Sequence, residues 1–225
     1  MQKRPFFYAM ITALVACSLA GTTGCSREHG LSTSRSHIRS IKTILEPRAR
    51  LGTRLDTFHG VALLRIVKAG VLGIGGQIAE ATVYVRNPET GKFGPPAFAG
   101  YGGVSLGLVF GVLDIADCAI LFEDRADAVA FAKRPIWVNF TNEASFFLWG
   151  AKQMTIRGGD SYSDGAGLCL GAIEGELYLG AAKSPLHKAL YESDAPPEDI
   201  LLGKVTIPKG LQASLDGLNK LMAKD

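Results

Sequence analysis

The sequence predicts an α+β fold: a Gly-rich, mainly antiparallel β core with a few flanking helices. Three observations carry that expectation. Val104, Leu106, Leu108 and Phe110 alternate with Ser105, Gly107, Val109 and Gly111, so one face of the segment is bulky and the other nearly bare. Arg86-Asn87-Pro88-Glu89-Thr90-Gly91 reads as a turn after the β-branched and apolar runs Val61 to Val67 and Ala81 to Val85. Leu211, Leu215, Leu218 and Leu221 fall at helical spacing behind Pro208, a residue suited to a helix start.

The 225 residues, 47% hydrophobic and 20% charged, suffice for one ordinary core and one folded domain. A formal charge of +3 is too small to argue for nucleic acid, which calls for a concentrated basic face. No nucleic-acid partner is expected. The basic excess is local: Arg27, Arg35, Arg39, Lys42, Arg48, Arg50 and Arg54 outnumber Glu28, Glu46 and Asp56.

The chain opens with Lys3 and Arg4, then an apolar run from Pro5 to about Ala20 that breaks up at Gly21, Thr22 and Thr23. A membrane-spanning helix needs roughly 20 consecutive apolar residues, so the run reads as an export signal. Leu14-Val15-Ala16-Cys17 has the large and small residues that a lipoprotein signal peptidase selects, and Thr22-Thr23-Gly24-Cys25 is the weaker alternative. The expected organisation is a lipoprotein signal peptide over residues 1–16, a polar tether over 17–34, and a folded domain over 35–225. Ser18, in place of an aspartate after the acylated cysteine, points to the periplasmic side of the envelope with the lipid anchor in the outer membrane.

Ile38, Ile41 and Leu45 lie on one helical face while Arg35, Arg39 and Lys42 fall elsewhere on the wheel, with Pro47 expected to end or kink the helix. Short helices are expected at Asp124 to Lys133 and Pro185 to Tyr191. Cys118 and Cys169 lie in apolar segments and read as buried thiols, although an exported compartment permits a disulfide.

Lys68-Ala-Gly-Val-Leu-Gly-Ile-Gly-Gly76 has the composition of a phosphate cradle. Such a loop must open a helix so that free N–H groups and the helix dipole meet the anion. Here the glycines lead into Ile78 to Tyr84, which continues as strand, so bends and close approach of another layer account for Gly73, Gly75, Gly107 and Gly171. Asp160-Ser161-Tyr162-Ser163-Asp164-Gly165 lacks both the G-x-S-x-G elbow and a histidine nearby in sequence, and His59 and His187 are isolated. No catalytic set, metal site or cofactor is expected.

Taken in order, Gly60-Val-Ala-Leu-Leu-Arg-Ile-Val-Lys-Ala-Gly70, Gly75-Gly76, Pro96-Ala97-Phe98, Gly103-Val-Ser-Leu-Gly107, Ser161-Tyr162-Ser163, Gly167-Leu-Cys-Leu-Gly-Ala-Ile-Glu-Gly175 and Asp199-Ile-Leu-Leu-Gly203 resemble the landmarks of the SYLF domain. The resemblance runs from about residue 38 to 215. That family includes yeast SH3-bearing regulators of cortical actin, their phosphoinositide-binding animal relatives and many bacterial lipoproteins. It implies a compact α+β domain that binds lipid head groups and membranes, with no known catalysis. The chain departs from the pattern at Phe93-Gly94, where the family has Trp-Ser, at Arg65, where a proline is common, and at Tyr191-Glu192, where the family has Tyr-Gly.

Family lipid binding is attributed to a basic amphipathic helix near the domain start together with basic residues of the domain, which implies Arg35, Ile38, Arg39, Ile41, Lys42 and Lys68 as lipid contacts. Two readings of that helix stand side by side. In one, the isoleucines enter the membrane interface while the basic residues meet phosphates. In the other, the isoleucines dock on the β core and the charges are solvated. The function expected is therefore that of an exported, non-catalytic lipoprotein binding phospholipid head groups or an anionic membrane; the alternative is an envelope protein-interaction module whose lipid link is the acyl anchor alone. Mass spectrometry of the mature N-terminus should find acylated Cys17; a start at Cys25 moves the site, and an unmodified terminus removes the lipoprotein assignment.

Overall fold

A computed structural model describes residues 26–71, 74–107, 112–133, 136–147, 150–156 and 159–223. It is an α+β fold. Helix α1 (Arg27–Arg50) is followed by a 3-10 turn (Leu55–Thr57), then strands β1 (Gly60–Val71), β2 (Ile74–Val85), β3 (Ala97–Gly107) and β4 (Val112–Phe122). Helix α2 (Arg125–Lys133) leads to β5 (Ile136–Phe147), β6 (Gly150–Ile156) and the long β7 (Gly159–Ala182). The chain closes with α3 (Ser184–Tyr191), α4 (Pro197–Leu201) and α5 (Lys209–Leu221).

The seven described strands share one antiparallel sheet arranged as nested layers. The β1–β2 hairpin is innermost, with Gly60 opposite Val85 and Val71 opposite Ile74. β3 flanks β2 and β4 flanks β1. β7 embraces both, its residues 160–169 pairing with β4 and its residues 174–182 with β3. β5 and β6 pair with the outer edge of β7. This register brings Val71, Ile74, Gly107 and Val112 to one end of the sheet. The glycine run at the hairpin is strand up to Val71 and again from Ile74, Gly70 facing Gly75, while Gly73 lies outside the described residues. The register also separates the cysteines: Cys118 faces Ser163 and Cys169 faces Val112. Six residues along a strand is about 20 Å, beyond the reach of a disulfide.

The helices pack on both sheet faces toward the other end. On one face, α2 covers β1, β3 and β4: Tyr101 donates its hydroxyl to the Phe131 carbonyl at 2.8 Å, and Phe131 meets the Phe122 ring at 5.5 Å. Gly60 is needed there, since a Cβ on it would stand 2.4 Å from that of Ala128. On the other face lies α1, flanked by α3 and α5. Asp124 caps α2 through a 2.9 Å bond from the Ala126 N–H, and Asn87 organises the expected turn by accepting from Glu89 and Thr90. Leu211, Leu215 and Leu218 of α5 are buried and Leu221 packs against the core, as their spacing predicted.

Helix α1 differs from expectation at both ends. Residues 27–34, read as tether, are helical: the Ser26 hydroxyl caps the start by accepting from the His29 N–H at 3.1 Å, and Glu28 suits the positive end of the helix dipole. Gly30, Leu31 and Ser34 are buried within this stretch, and His37 just beyond it. Small residues are required because α3 comes close; a Cβ on Gly30 would touch Leu186 at 3.3 Å. Pro47 sits in the last turn and the helix continues past it to Arg50. Its cost is limited to one missing donor where the helix is about to end.

Ile38 and Ile41, expected as candidate lipid contacts, are 3% and 0% exposed. They belong to the hydrophobic core, together with Leu31, Ile44 and Leu45. Of the two readings of this helix, docking is the arrangement in the structure. Replacing Ile41 with alanine should cost about 2–5 kcal/mol through lost burial and a residual cavity, read as a lower midpoint in urea; a change within 0.5 kcal/mol, the size expected at an exposed position, would contradict the docked helix.

Candidate functional site

Helix α1 is held to the sheet by polar groups as well as apolar ones, and these define the site. Arg65 of β1 stands opposite Asp117 of β4 on one side and Glu80 of β2 on the other. Its guanidinium makes a two-pronged ion pair with Asp117, both N···O distances being 2.7 Å. Ser40 of α1 donates to the same carboxylate at 2.6 Å. One rung of the sheet thus carries Glu80, Arg65 and Asp117 side by side, and α1 is hydrogen-bonded to it.

Glu80 pairs with Lys183, the residue that leads into α3. Gly100, opposite Glu80 on β3, gives the lysine stem its path, for a Cβ there would stand 3.1 Å from Lys183 Cε. Burial is the largest influence and acts to raise the carboxyls of Glu80 and Asp117, but the hydrogen bonds from Lys183 to the first and from Arg65 and Ser40 to the second, together with the attraction of the nearby positive charges, outweigh it and leave both lowered.

One rung further toward the helices, His37 Nδ1 of α1 shares a 2.5 Å hydrogen bond with Thr82 Oγ1 of β2. Thr82 faces Phe98 of β3, whose N–H donates to His187 Nε2 of α3 at 2.7 Å. The proton of His187 is therefore on Nδ1. Both imidazoles are buried, and His37 Nε2 and His187 Nδ1 have no hydrogen-bond partner among the described residues. Burial, reinforced at His37 by the nearby Arg65, lowers His37 to about 4, and burial lowers His187 to about 4. Both are neutral near pH 7.

His29, Thr33 and His37 of α1, Glu80 and Thr82 of β2, and Lys183 line a shallow recess beside these groups, too tight to admit a water molecule. The Thr82 hydroxyl beside His37 has the chemistry of a nucleophile and base. Thr82 is fully buried, so the pair pins helix to sheet and offers no hydroxyl to a substrate. No group of three or more metal-ligating side chains converges among the described residues.

The residues expected as lipid contacts are divided by the fold. Arg35 and Arg39 are exposed and Lys42 is half-buried, all on the side of α1 away from the sheet. Arg35 donates to the Gly210 carbonyl of α5 at 3.0 Å, and Lys42 lies 3.9 Å from Glu46. Arg39 forms no ion pair with another described residue. The backbone of Lys68 pairs with Gln77 and Asp114 in the register, three residues beyond Arg65 along β1. The fold therefore groups Arg35, Arg39 and Lys42, removes Ile38 and Ile41 from the surface, and sets Lys68 apart. Cys17 and Cys25 lie outside the described residues.

Sequence reasoning missed the rung and the histidine pins. The signal was an arginine in the largely apolar β1 and an aspartate in the largely apolar β4, 52 residues apart; their adjacency depends on a register that spacing does not reveal. Compared with known protein families, curated proteins and solved structures, the chain matches none. No described helix is long and apolar enough to cross a membrane.

Acid should loosen this site. Unfolded imidazoles titrate near 6.5 and the folded ones near 4, so between those values the unfolded chain binds more protons and stability falls as pH drops. A shift of this size corresponds to about 3 kcal/mol per histidine, complete only below pH 4. Urea midpoints at pH 7, 5.5 and 4 should fall progressively, and His187→Asn should flatten that fall; a midpoint constant from pH 7 to 4 would contradict the buried neutral imidazoles.

Proposed function

We propose that this protein is an exported lipoprotein, acylated at Cys17, whose SYLF-like domain rests on the phospholipid head groups of an anionic membrane surface without catalysis. The observation that carries this reading is the sidedness of α1: its isoleucines are buried while Arg35, Arg39 and Lys42 share the outward side. Contact with lipid through this helix is then electrostatic, made by a docked helix and not by an inserted one. Lys209 and Lys220, exposed on the neighbouring α5, add to the same charge.

Two departures from the SYLF pattern are compatible with the resemblance on physical grounds. Phe93 is buried, so an apolar ring in place of the family's tryptophan keeps the packing role. Glu192 ends α3 in the left-handed conformation, with φ 56°, which glycine, the family's residue there, adopts freely.

Changing Arg35, Arg39 and Lys42 together to glutamine tests the reading. Each basic residue at an anionic surface contributes about 1 kcal/mol. Because Arg35 and Lys42 also have partners within the protein, a chain lacking residues 1–25 should lose between about tenfold and a hundredfold in partitioning onto anionic vesicles. Binding by the unaltered chain should weaken as salt rises, and the melting temperature should hardly move. Failure of the unaltered chain to bind anionic vesicles at low salt would favour the envelope interaction module instead.

A further inference from the structure

We infer that His37 and His187 form an acid-opened latch, two buried imidazoles that hold α1 and α3 on the sheet as a pair and release both together when they take up protons. The latch needs no lipid. Its two pins share one place on the sheet: Thr82, bonded to His37 of α1, and Phe98, bonded to His187 of α3, are cross-strand partners on β2 and β3. The helices are also joined to each other. Arg27 of α1 pairs at 2.7 Å with Glu192, which caps the end of α3, and the bare Gly30 lets α3 come so near that a Cβ there would touch Leu186 at 3.3 Å. One helix leaving the sheet therefore pulls on the other.

Both pins need a neutral ring. The Phe98 N–H donates to His187 Nε2, so a proton on that nitrogen would set N–H against N–H and end the bond. An imidazolium has two N–H donors, and since His37 Nε2 and His187 Nδ1 have no hydrogen-bond partner among the described residues, protonation leaves a buried charged donor unpaired at each site. The charged groups facing His37 are Arg65 of β1, Glu80 of β2, Asp117 of β4 and Lys183 ahead of α3. Two are cations, and the two carboxylates are already engaged, Glu80 by Lys183 and Asp117 by Arg65 and Ser40. His187 lies against the Phe98 N–H and ring of β3, and neither β3 nor α1 brings it a charged side chain that shifts it. Neither site holds a spare carboxylate among the described residues.

Seated, both rings are held by burial at about 4; released, they return to the ordinary 6.5. The open form then binds more protons than the closed one between these values, so opening is favoured as pH falls through 6.5 and the gain is complete near 4. From pH 7 to 5 the opening equilibrium should rise about twentyfold for each histidine, and about a few hundredfold when both are released together. The apolar side chains uncovered are Leu31, Ile38, Ile41 and Leu45 of α1 with Leu186 and Leu190 of α3, all buried when the latch is closed. Helix α2, on the other face of the sheet, is held by the contacts of Tyr101 and Phe122 with Phe131, which contain no histidine.

The test is hydrogen–deuterium exchange of the full chain without vesicles at pH 7 and pH 5, corrected for the intrinsic exchange rate at each pH. Amides of α1 from Leu31 to Leu45 and of α3 from Leu186 to Leu190 should lose protection together by about a few hundredfold. At pH 5 they should be less protected, by about tenfold or more, than residues 61–64 and 118–121 at the centre of the sheet, as a local opening requires. His187→Gln, whose amide oxygen can accept from Phe98 without titrating, should cut the pH-dependent loss to about twentyfold, and adding His37→Asn should abolish it. Protection of both helices unchanged from pH 7 to 5 would overturn the latch. So would helices and sheet centre falling to one common value at pH 5, which is global unfolding, and so would release of one helix with the other still protected. The unaltered chain decides among these outcomes even where a variant fails to fold.

Discussion

The structure depends on how Arg65 is accommodated. A guanidinium in the middle of an apolar strand must find a carboxylate nearby or the strand cannot pack. Asp117 on the adjacent strand supplies it in a two-pronged geometry that also fixes the register of β1 against β4. A slip of one residue would send Arg65 and Asp117 to opposite faces. Because Ser40 bonds the same carboxylate, that register also sets the position of α1 along the sheet. His37 on Thr82 and Ser40 on Asp117 then fasten the helix at two places along its length, on two different strands.

This arrangement changes how a basic helix near the start of such a domain is understood. A helical wheel displays Ile38 and Ile41 as an apolar stripe beside Arg35, Arg39 and Lys42, a pattern shared by interfacial membrane helices and by helices on protein cores. What separates the two is the apolar partner, and here the sheet is that partner. Undocking the helix would expose Leu31, Ile38, Ile41 and Leu45 and strip the covering from Thr82 and Tyr84, whose hydroxyl donates to the Ser34 carbonyl of α1. Bilayer insertion would have to compensate for all of this. Contact made with the helix in place does not.

Much of the architecture was legible in the sequence. Alternation identified strands, the leucine spacing identified α5, and Asp124 and Pro185 marked helix starts to within a residue. The first half of α1 was not legible. Ser32, Thr33, Ser34 and Ser36 are weak helix formers that normally signal a loop, and the reasons for a helix there are tertiary: Gly30 against Leu186, Leu31 against α5, and His37 on Thr82. The nested topology was also hidden. β7 is 24 residues long and lies against β3 along one part and β4 along another, a pairing that local pattern cannot express. Of the candidate site, the charges on the outside of α1 were legible and the rung beneath it was not, since Glu80, Arg65 and Asp117 meet through register alone.

The central claim is that α1 stays seated on the sheet while its outer side meets the membrane. Hydrogen–deuterium exchange of the protein on anionic vesicles, compared with the vesicle-free protein, addresses it directly. The account predicts that amides of α1 from Leu31 to Leu45, and those of β1 and β2 beneath, keep their protection when the vesicles are bound. Faster exchange in that stretch of β1 and β2 on binding, with α1 protected only by lipid, would show the helix leaving its seat and would contradict the account.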